Sequence, residues 1–363
     1  MEDRRPHRLA ALRAALAPLE VDAMLVMSLP SVRYLTGFSG SAALLVVFAD
    51  SPSVLITDFR YAVQVVDEVG AHARVRVEPT SLWTGLRDIL AGAAAGSRIA
   101  FESAHTLFSD YERIVELAGR WTWVGTTGVV EALRERKDAG ELLLIREAVR
   151  IAEEALERTI REVRVGLTER QVAGILEHHL RDLGSDATPF ETIVASGERA
   201  ALPHARASTR ALQAGEFLLI DFGASHGGYC SDITRTFALK SVNPEMQQVH
   251  DIVREATLSA SAGVRAGMRG RDADAIARDY IEARGYGELF GHSLGHGIGL
   301  EVHEGPRLSR TADAPLPPSA VVTIEPGIYK PGWGGVRIED DVFLADDGPD
   351  VLTSFPRELM VIG

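Results

Sequence analysis

Acidic residues lie within apolar, strand-like segments in the second half of the chain. Residues 217–222 are apolar apart from Asp221, and after the turn 226–228 the chain resumes as a strand that contains Asp232. If the turn is centred between its first two residues, antiparallel pairing places Asp221 opposite Asp232, with β-carbons about 5 Å apart. Two buried carboxylates at that distance repel each other, and a bound cation would relieve the repulsion.

The same pattern occurs again nearer the C-terminus. Residues 320–325 form an apolar strand that ends in Glu325, and a glycine-rich turn centred on Gly332 places this acid opposite Glu339. Pro326 follows directly and could interrupt the pairing. For any single acid, a strand-edge carboxylate paired with an arginine would be the commoner explanation. Four acids in two matched hairpins instead favour a cation site in a pseudo-symmetric domain.

A glycine-rich segment between the two hairpins contributes imidazoles. His292, His296 and His303 lie within residues 291–303, which contain too many glycines for a continuous helix. The segment also lacks the glutamate that follows the first histidine in the zinc-protease helix motif. One imidazole and four carboxylates form a mostly oxygen donor set, suited to Mn²⁺, Co²⁺, Mg²⁺ or Zn²⁺. Two such ions would balance four carboxylates and can activate water beside a polarised carbonyl, which predicts metal-assisted hydrolysis.

The elements that must position these residues are predicted from periodicity and breakers. From Pro189 onward, short strands with glycine-rich turns dominate, whereas the segments before and between them have helical spacing. Thr168 is a typical helix N-cap. The predicted helices are Glu141–Val163, Glu169–Leu183, Pro244–Gly263 and Gly270–Arg284.

The first third of the chain has a different pattern and contains no chemical motif. Helix and strand signals alternate there, which is typical of an α/β domain. We predict this domain over residues 1–130, a charged linker over 131–140 and a second domain over 141–363. Within the first domain the predicted helices end near Leu19 and cover 61–69 and 81–95, and the predicted strands are 23–27, 42–48, 54–57 and 98–101.

Composition excludes several classes of partner. The 363 residues, 46% hydrophobic and 25% charged, suffice for two soluble domains. The net charge of −13 is spread along the chain, which argues against binding to nucleic acid or an anionic membrane. Cys230 is the single cysteine, and no segment has the pattern of a membrane span or a signal peptide. We therefore expect a cytoplasmic protein.

Several motifs together resemble a known family. In their order along the chain they resemble the proline-specific peptidases of the methionine-aminopeptidase superfamily, namely aminopeptidase P and prolidase. The resemblance spans the chain, since a segment of the first domain also matches. The motifs are Tyr34–Phe38, Ile220–Gly223, Ser231–Thr236, Gly295–Glu304, Glu325–Gly327 and Arg337–Asp340.

The resemblance implies an α/β fold with a creatinase-like N-terminal domain and a C-terminal pita-bread domain. It also implies two divalent ions, with Mn²⁺ preferred over Co²⁺ or Zn²⁺. Asp221 would bind one ion, Asp232 and Glu339 would bridge both, and His296 and Glu325 would hold the other. The family is also expected to form homodimers.

The resemblance further implies roles in catalysis. Glu325 would act as the general base. His204, His292 and His303 would hydrogen-bond the substrate and stabilise the tetrahedral intermediate, and Arg337 would orient the bridging acids.

Three further residues have competing explanations. Tyr229 would contact the substrate or be a core aromatic residue. Arg310 would bind the carboxylate of a dipeptide or be a solvated loop residue. Cys230 would share the strand face of Asp232 or be a small buried residue.

The predicted activity is hydrolysis of the bond between an N-terminal residue and a following proline. The compact length favours release of the first residue from Xaa-Pro peptides, as by aminopeptidase P. The alternative is a prolidase that cleaves Xaa-Pro dipeptides, and an alternative of another class is a non-catalytic binding protein on the same fold.

Overall fold

A mixed six-stranded sheet is the centre of the N-terminal unit. The computed structural model describes residues 3–117 and 120–363, so residues 1, 2, 118 and 119 of the predicted first domain lie outside the described residues. The chain divides into two compact units, Met1–Arg134 and Glu135–Gly363. No helix among the described residues is long and apolar enough to cross a lipid bilayer.

The N-terminal sheet has the strand order β4-β3-β2-β1-β5-β6. β1 pairs antiparallel with β2 and parallel with β5. All four residues of β1 are buried, as expected for a central strand covered on both faces. The strands are β1 (Ala23–Val26), β2 (Ala43–Phe48), β3 (Val54–Asp58), β4 (Arg74–Glu78), β5 (Arg98–Glu102) and β6 (Thr122–Thr126).

Helices flank this sheet, and the sequence predicts only some of them. The predicted first helix is confirmed as α1, which buries Leu9, Leu12 and Leu16 on one face. The short α2, which has a proline in its first turn, was not predicted. The helices are α1 (Arg5–Leu16), α2 (Leu29–Thr36), α3 (Gln64–Val69), α4 (Leu82–Leu90), α5 (Phe108–Leu117) and α6 (Val129–Arg134), the last of which overlaps the start of the predicted linker.

The C-terminal unit contains two long helix pairs. Capping boxes begin the first two helices, with Asp138 and Glu141 at one and Thr168 and Gln171 at the other. The predicted positions of all four helices are confirmed to within two residues at each end. They are α7 (Ala139–Glu162), α8 (Glu169–Asp182), α9 (Pro244–Gly263) and α10 (Gly270–Glu282).

Two sheets and two short hairpins complete this unit. The sheets have the strand orders β19-β11-β8-β7 and β13-β12-β14-β17-β18. The hairpins are β9-β10 and β15-β16. The strands are β7 (Ile193–Ser196), β8 (Phe217–Phe222), β9 (Ser225–His226), β10 (Tyr229–Cys230), β11 (Ile233–Leu239), β12 (Gly295–Gly297), β13 (Glu304–Leu308), β14 (Val321–Ile324), β15 (Gly327–Lys330), β16 (Gly334–Arg337), β17 (Asp340–Ala345), β18 (Gly348–Val351) and β19 (Val361–Ile362).

Strand β8 shows how a buried acid is aimed at the centre of the unit. Leu218, Ile220 and Phe222 pack into the core formed with α7 and α8. Leu219 lies in the other core, which contains residues of α9 and α10. Because side chains alternate along a strand, Asp221 faces the same side as Leu219, away from the first helix pair.

The predicted register of the first hairpin is wrong by two residues. Asp221 pairs with Thr234 rather than with Asp232. The turn is formed by Gly227 and Gly228, which have φ values of 57° and 84°. A two-residue turn with positive φ at both positions matches the twist of a hairpin and favours Gly-Gly. A shift of two residues keeps the same face, so the two acids are diagonal neighbours rather than opposed.

The predicted register of the second hairpin is confirmed. β15 pairs with β16 so that Gly327 stands opposite Arg337, and β14 pairs with β17 so that Ile324 stands opposite Asp340. Both ladders have the register of a turn centred on Gly332. Glu325 and Glu339 therefore lie between the two ladders, at positions that this register places opposite each other.

A buried histidine of α9 should make stability depend on pH. His250 is 1% exposed, and burial lowers its pKa to about 4. Between that value and its unfolded pKa near 6.5, the unfolded chain binds the proton. The neutral His250 therefore contributes about 3 kcal/mol to the free energy of unfolding above pH 6.5, and this contribution is lost as the pH falls towards 4.

The variant His250→Gln tests this expectation. Its unfolding free energy should fall less than that of the wild type between pH 6.5 and 4, as measured by urea denaturation. His178→Gln, at an exposed position, should retain the wild-type dependence of the unfolding free energy on pH. Equal slopes for wild type and His250→Gln would contradict the expectation.

Candidate metal centre and active site

One cavity of about 500 Å³ collects the predicted metal ligands. Asp221 lies near the end of β8, Asp232 directly precedes β11, and His296 is the central residue of β12. Glu325 follows β14, and Glu339 lies between β16 and β17. Segments far apart in sequence thus converge on one space. The cavity also contains His204, His292, His303 and Arg337.

The donor atoms of this cluster are close together. Asp232, His296 and Glu339 each offer one ligand atom, and these three atoms lie within 4.8 Å of one another. His296 Nε2 is 3.5 Å from Glu325 Oε1 and 3.8 Å from Asp232 Oδ2. The close approach depends on Gly295, because a Cβ at that position would lie 1.9 Å from the carbonyl oxygen of Thr323. Glycine is therefore required at this position for β12 and β14 to approach so closely.

The carboxylates conflict electrostatically. Burial, followed by repulsion from the other acids, raises the pKa values of Asp232 and Glu325 well above normal. Burial and Asp221 raise the pKa of Glu339 to about 8. Like charges gathered in a buried site cannot all ionise without compensating positive charge. A divalent cation would supply it.

Unsatisfied polar atoms also fit a cation. Asp221 Oδ1 and Asp232 Oδ1 are buried and have no hydrogen-bond partner among the described residues. His296 Nδ1 donates to the Gly297 carbonyl at 3.0 Å, which leaves the Nε2 lone pair facing the acids. Burial lowers the pKa of His296 to about 4, so the imidazole is in its neutral, metal-binding form. The residues present therefore fit a hard divalent metal ion.

Arg337 connects two of the acids. Its buried guanidinium donates directly to Asp221 Oδ2 and, through Nε, to Thr234 Oγ1 at 3.1 Å. The Thr234 hydroxyl then donates to Glu339 Oε2 at 2.6 Å. Arg337 is thus placed to orient Asp221 directly and Glu339 through Thr234. Hydroxyls on the site face of β11 were not recognised in the sequence, although alternation with Asp232 indicates them.

A second branch of this network reaches His292. Arg337 donates to the Tyr329 hydroxyl at 2.7 Å, and that hydroxyl lies 2.8 Å from His292 Nε2. His292 Nδ1 donates to the Ser293 carbonyl, so Nε2 accepts the proton of Tyr329. Burial raises the pKa of Tyr329 to about 12, which keeps the hydroxyl protonated. Tyr329 was not among the predicted residues.

Comparisons with known proteins agree with this arrangement. Residues 144–346 match the model of metallopeptidase family M24, and residues 8–136 match the creatinase/prolidase N-terminal domain. The chain belongs to metallopeptidase family M24. The predicted α/β fold, with a creatinase-like N-terminal domain and a pita-bread C-terminal domain, is confirmed. Membership of the family implies a divalent metal, in agreement with the donor set.

Individual relatives align with nearly the whole length of this chain. It is 35% identical to the "Xaa-Pro dipeptidase" of Pyrococcus horikoshii, over 94% of this chain and 95% of the relative. The solved structure of the Xaa-Pro dipeptidase from Bacillus anthracis has a TM-score of 0.94 and 38% identity, covering 99% of this chain and 100% of that one. The X-Pro aminopeptidase from Thermotoga maritima has a TM-score of 0.90 and 38% identity, covering 98% and 99%.

Two predicted substrate contacts lie outside the lining of the metal-site cavity. Tyr229 is buried, and its hydroxyl donates to Glu141 at 2.8 Å. Arg310 lines a neighbouring cavity of about 820 Å³, which shares His292 and Ser293 with the first. Cys230 is buried beside α7 and α8. The side chains of Tyr229, Arg310 and Cys230 therefore do not line the cavity that contains the carboxylates.

Arg307 lines the same cavity as the predicted metal ligands, although the sequence analysis did not identify it. It lies on β13 opposite His296 and lines the metal-site cavity. It is exposed and forms no ion pair with any described residue. The strand signal around it is weak because Pro306 precedes it and a bulge follows His296 in β12. Only the folded strands show that its cationic group faces the site.

Proposed function

We propose that this protein is a metal-dependent Xaa-Pro dipeptidase, which hydrolyses the bond between the first residue and proline. The observation that carries the proposal is the unpaired Arg307 in the cavity that contains the carboxylate–histidine cluster. The free carboxylate of a dipeptide would pair with such a guanidinium. The names of the Pyrococcus and Bacillus relatives support the dipeptidase alternative over the aminopeptidase P activity that chain length favours.

The metal set is part of the proposal. We assign metal binding to five residues and propose two ions, preferably Mn²⁺, because two divalent charges balance four carboxylates. When bound, such ions polarise a peptide carbonyl and activate water. The ligands are Asp221, Asp232, His296, Glu325 and Glu339.

Glu325 is proposed as the general base. Its side chain is 18% exposed, whereas those of Asp221 and Asp232 are 11% and 7% exposed. Of these three carboxylates it therefore has the best access to water in the cavity. A carboxylate in that position can take the proton of the attacking water and pass it to the leaving nitrogen of proline.

The remaining cavity histidines are proposed to bind the substrate. Tyr329 holds His292 in one tautomer. The ring of His303 lies 4.4 Å from that of His296, centroid to centroid, so it is held beside a metal ligand. His204 enters from a separate segment. His204 and His303 can donate hydrogen bonds to a tetrahedral intermediate in this cavity. His292, whose two ring nitrogens are engaged by Ser293 and Tyr329, would bind the substrate only by exchanging one of these partners.

Recognition of the dipeptide carboxylate gives a direct test. We expect Arg307→Gln to raise KM for Ala-Pro by about 10- to 100-fold, because a charge-assisted hydrogen bond is lost. The amide Ala-Pro-NH₂, which lacks the carboxylate, should be cleaved less well by the wild type and be nearly unaffected by the substitution. Steady-state kinetics on both substrates measure this difference.

Arg310→Gln is the matched control for that experiment. It removes the same charge from the neighbouring cavity and should leave KM for Ala-Pro nearly unchanged. If Arg310→Gln raised KM and Arg307→Gln did not, the assignment of Arg307 would be wrong.

An Xaa-Pro aminopeptidase is the second candidate. The similarity to the Thermotoga X-Pro aminopeptidase supports it. So does the neighbouring cavity, which shares His292 and Ser293 with the site and would accept a chain that continues past proline. Faster cleavage of Ala-Pro-Ala than of Ala-Pro would favour this candidate. If the Mn²⁺-loaded protein bound such peptides and cleaved neither, the non-catalytic alternative would replace both.

Two further expectations belong to the proposal. We propose a homodimer, from the family resemblance and the commonness of two-fold assemblies. We also propose a cytoplasmic location, which suits a chain with a single, buried cysteine. Light scattering of the purified protein and fractionation of the producing cells test these expectations.

A further inference from the structure

The segment that carries His204 has little regular structure of its own. It follows β7, forms a short 3₁₀ turn at Gly197–Ala201, and continues without helix or strand through Ser208. Residues 203–206 of this segment line the metal-site cavity. Contacts with neighbouring segments therefore help to hold His204 in place.

One buried carboxylate joins the two ends of this segment. Glu169, the first residue of α8, has a fully buried side chain. Its Oε1 accepts from the Ser196 backbone N–H at 2.8 Å and from the Ser196 hydroxyl at 2.9 Å. Its Oε2 accepts from the Ser208 backbone N–H at 2.9 Å and from the Ser208 hydroxyl at 2.6 Å. Glu169 thus bridges the start and the end of the segment.

Arg199 extends this bridge to the lining of the cavity. Its Nε donates to Glu169 Oε2 at 3.1 Å, and its NH2 group donates to the Arg206 carbonyl at 2.6 Å. Arg206 is two residues from His204. The path from Glu169 to the cavity therefore runs through a charge-assisted hydrogen bond and one backbone contact.

Glu169 is present as the carboxylate. Burial on its own would raise its pKa, but hydrogen bonds from Ser208 and Ser196 outweigh burial and hold the pKa below its ordinary value. The groups that hydrogen-bond to it are the backbone N–H and hydroxyl groups of Ser196 and Ser208 and the guanidinium of Arg199. An ionised acceptor in a buried position, held by several donors, is a rigid anchor.

We propose that Glu169 is a positioning residue, which fixes His204 in the active site by closing the segment between Ser196 and Ser208. This inference rests on the proposed function, since His204 contacts a substrate only if the cavity hydrolyses peptides. A second contact agrees with it, because Arg337 donates to the Pro203 carbonyl at 3.3 Å. The segment is thus held between Glu169 on one side and the metal-site network on the other.

The variant Glu169→Gln tests the proposal. It keeps the size of the side chain but replaces one acceptor oxygen by an NH₂ group, which cannot accept from the serine that it faces. We expect kcat/KM for Ala-Pro to fall by about 10- to 100-fold, as for a displaced catalytic group, at unchanged metal content. Glu177→Gln, at an exposed position of the same helix, should stay within about twofold of the wild type.

A double-mutant comparison separates positioning from a general loss of structure. In a His204→Ala background, Glu169→Gln should cause no further decrease, because the group that it positions is absent. A merely structural role would lower kcat by the same factor in both backgrounds and leave KM unchanged. Equal losses in both backgrounds, or a Glu169→Gln enzyme with wild-type kcat/KM, would overturn the proposal.

Two further measurements keep the inference testable. Amide hydrogen exchange should accelerate at Ser196 and Ser208 in Glu169→Gln and stay unchanged in α9 and α10, whether or not the protein has activity. If Glu169→Gln does not fold, Arg199→Met replaces it, since Arg199 is partly exposed. This variant should lower kcat/KM when His204 is present and cause no further decrease in the His204→Ala background. A wild type inactive on Xaa-Pro peptides would refute the proposed function. Unchanged exchange at both serines would refute the Glu169 bridge by itself.

Discussion

Asp232→Ala is expected to abolish hydrolysis of Xaa-Pro peptides, with a decrease in kcat/KM of at least about a thousandfold. The carboxylate has a donor atom within 4.8 Å of those of His296 and Glu339, and its Oδ1 lacks a hydrogen-bond partner among the described residues. Removing it takes away a proposed shared ligand and leaves too few donors to hold both ions. Glu339→Ala should have the same effect for the same reason.

Two measurements check this expectation. The metal-to-protein ratio after dialysis, determined by elemental analysis, should fall together with the rate of Ala-Pro cleavage. Asp347→Ala, at an exposed turn position, is the control and should keep both values. Near-normal turnover in Asp232→Ala or Glu339→Ala would rule out the assignment of these two acids as bridging ligands.

Metal removal is expected to destabilise the C-terminal unit. In the metal-free protein, buried carboxylates repel one another across the site, as the raised pKa values of Asp232, Glu325 and Glu339 indicate. Free Mn²⁺ at 100 to 1,000 times its Kd would stabilise the folded state by about 3–4 kcal/mol. A chelator should therefore lower Tm by roughly 6–16 °C, as measured by calorimetry.

The variant Asp232→Asn distinguishes this effect from an unspecific action of the chelator. The substitution removes one repelling charge at nearly constant volume. Its metal-free form should be at least as stable as the metal-free wild type, and its Tm should respond little to Mn²⁺ or chelator. A chelator-induced shift as large as that of the wild type would contradict the metal assignment.

Local patterns in the sequence predicted much of the C-terminal unit. Its four long helices have clear 3.6-residue periodicity and recognisable N-caps, of which Thr168 is an example. The second hairpin was also predictable in register, because one glycine-rich turn centred on Gly332 specifies every pair in the two strands. These features depend on residues close together in the chain.

The first hairpin shows the limit of such reasoning. The segment His226-Gly227-Gly228 permits two turn centres, and only the Gly-Gly centre has positive φ at both positions. The alternative centre shifts every pair by two residues. The face on which Asp221 and Asp232 lie is unaffected, because side chains alternate with a period of two. The gathering of the acids was therefore predictable, whereas their pairing was not.

Partners of single side chains depend on distant segments. Tyr229 has the sequence context of a substrate contact, yet its hydroxyl donates to Glu141 at the start of α7. Arg307 and Arg310 are three residues apart, and they line different cavities. No local pattern separates them, because the strand pairing of β13 with β12 and the bulge in that pairing decide where each guanidinium points.

The five proposed metal ligands illustrate both sides of this division. The sequence by itself determined their types and the face that Asp221 and Asp232 share, because side chains alternate along a strand. The tertiary structure alone decided that Arg337 reaches Glu339 through Thr234, that Tyr329 holds His292 and that Glu169 closes the segment carrying His204. These hydrogen bonds join residues far apart in the chain, and only packing of the sheets and helices brings them within reach.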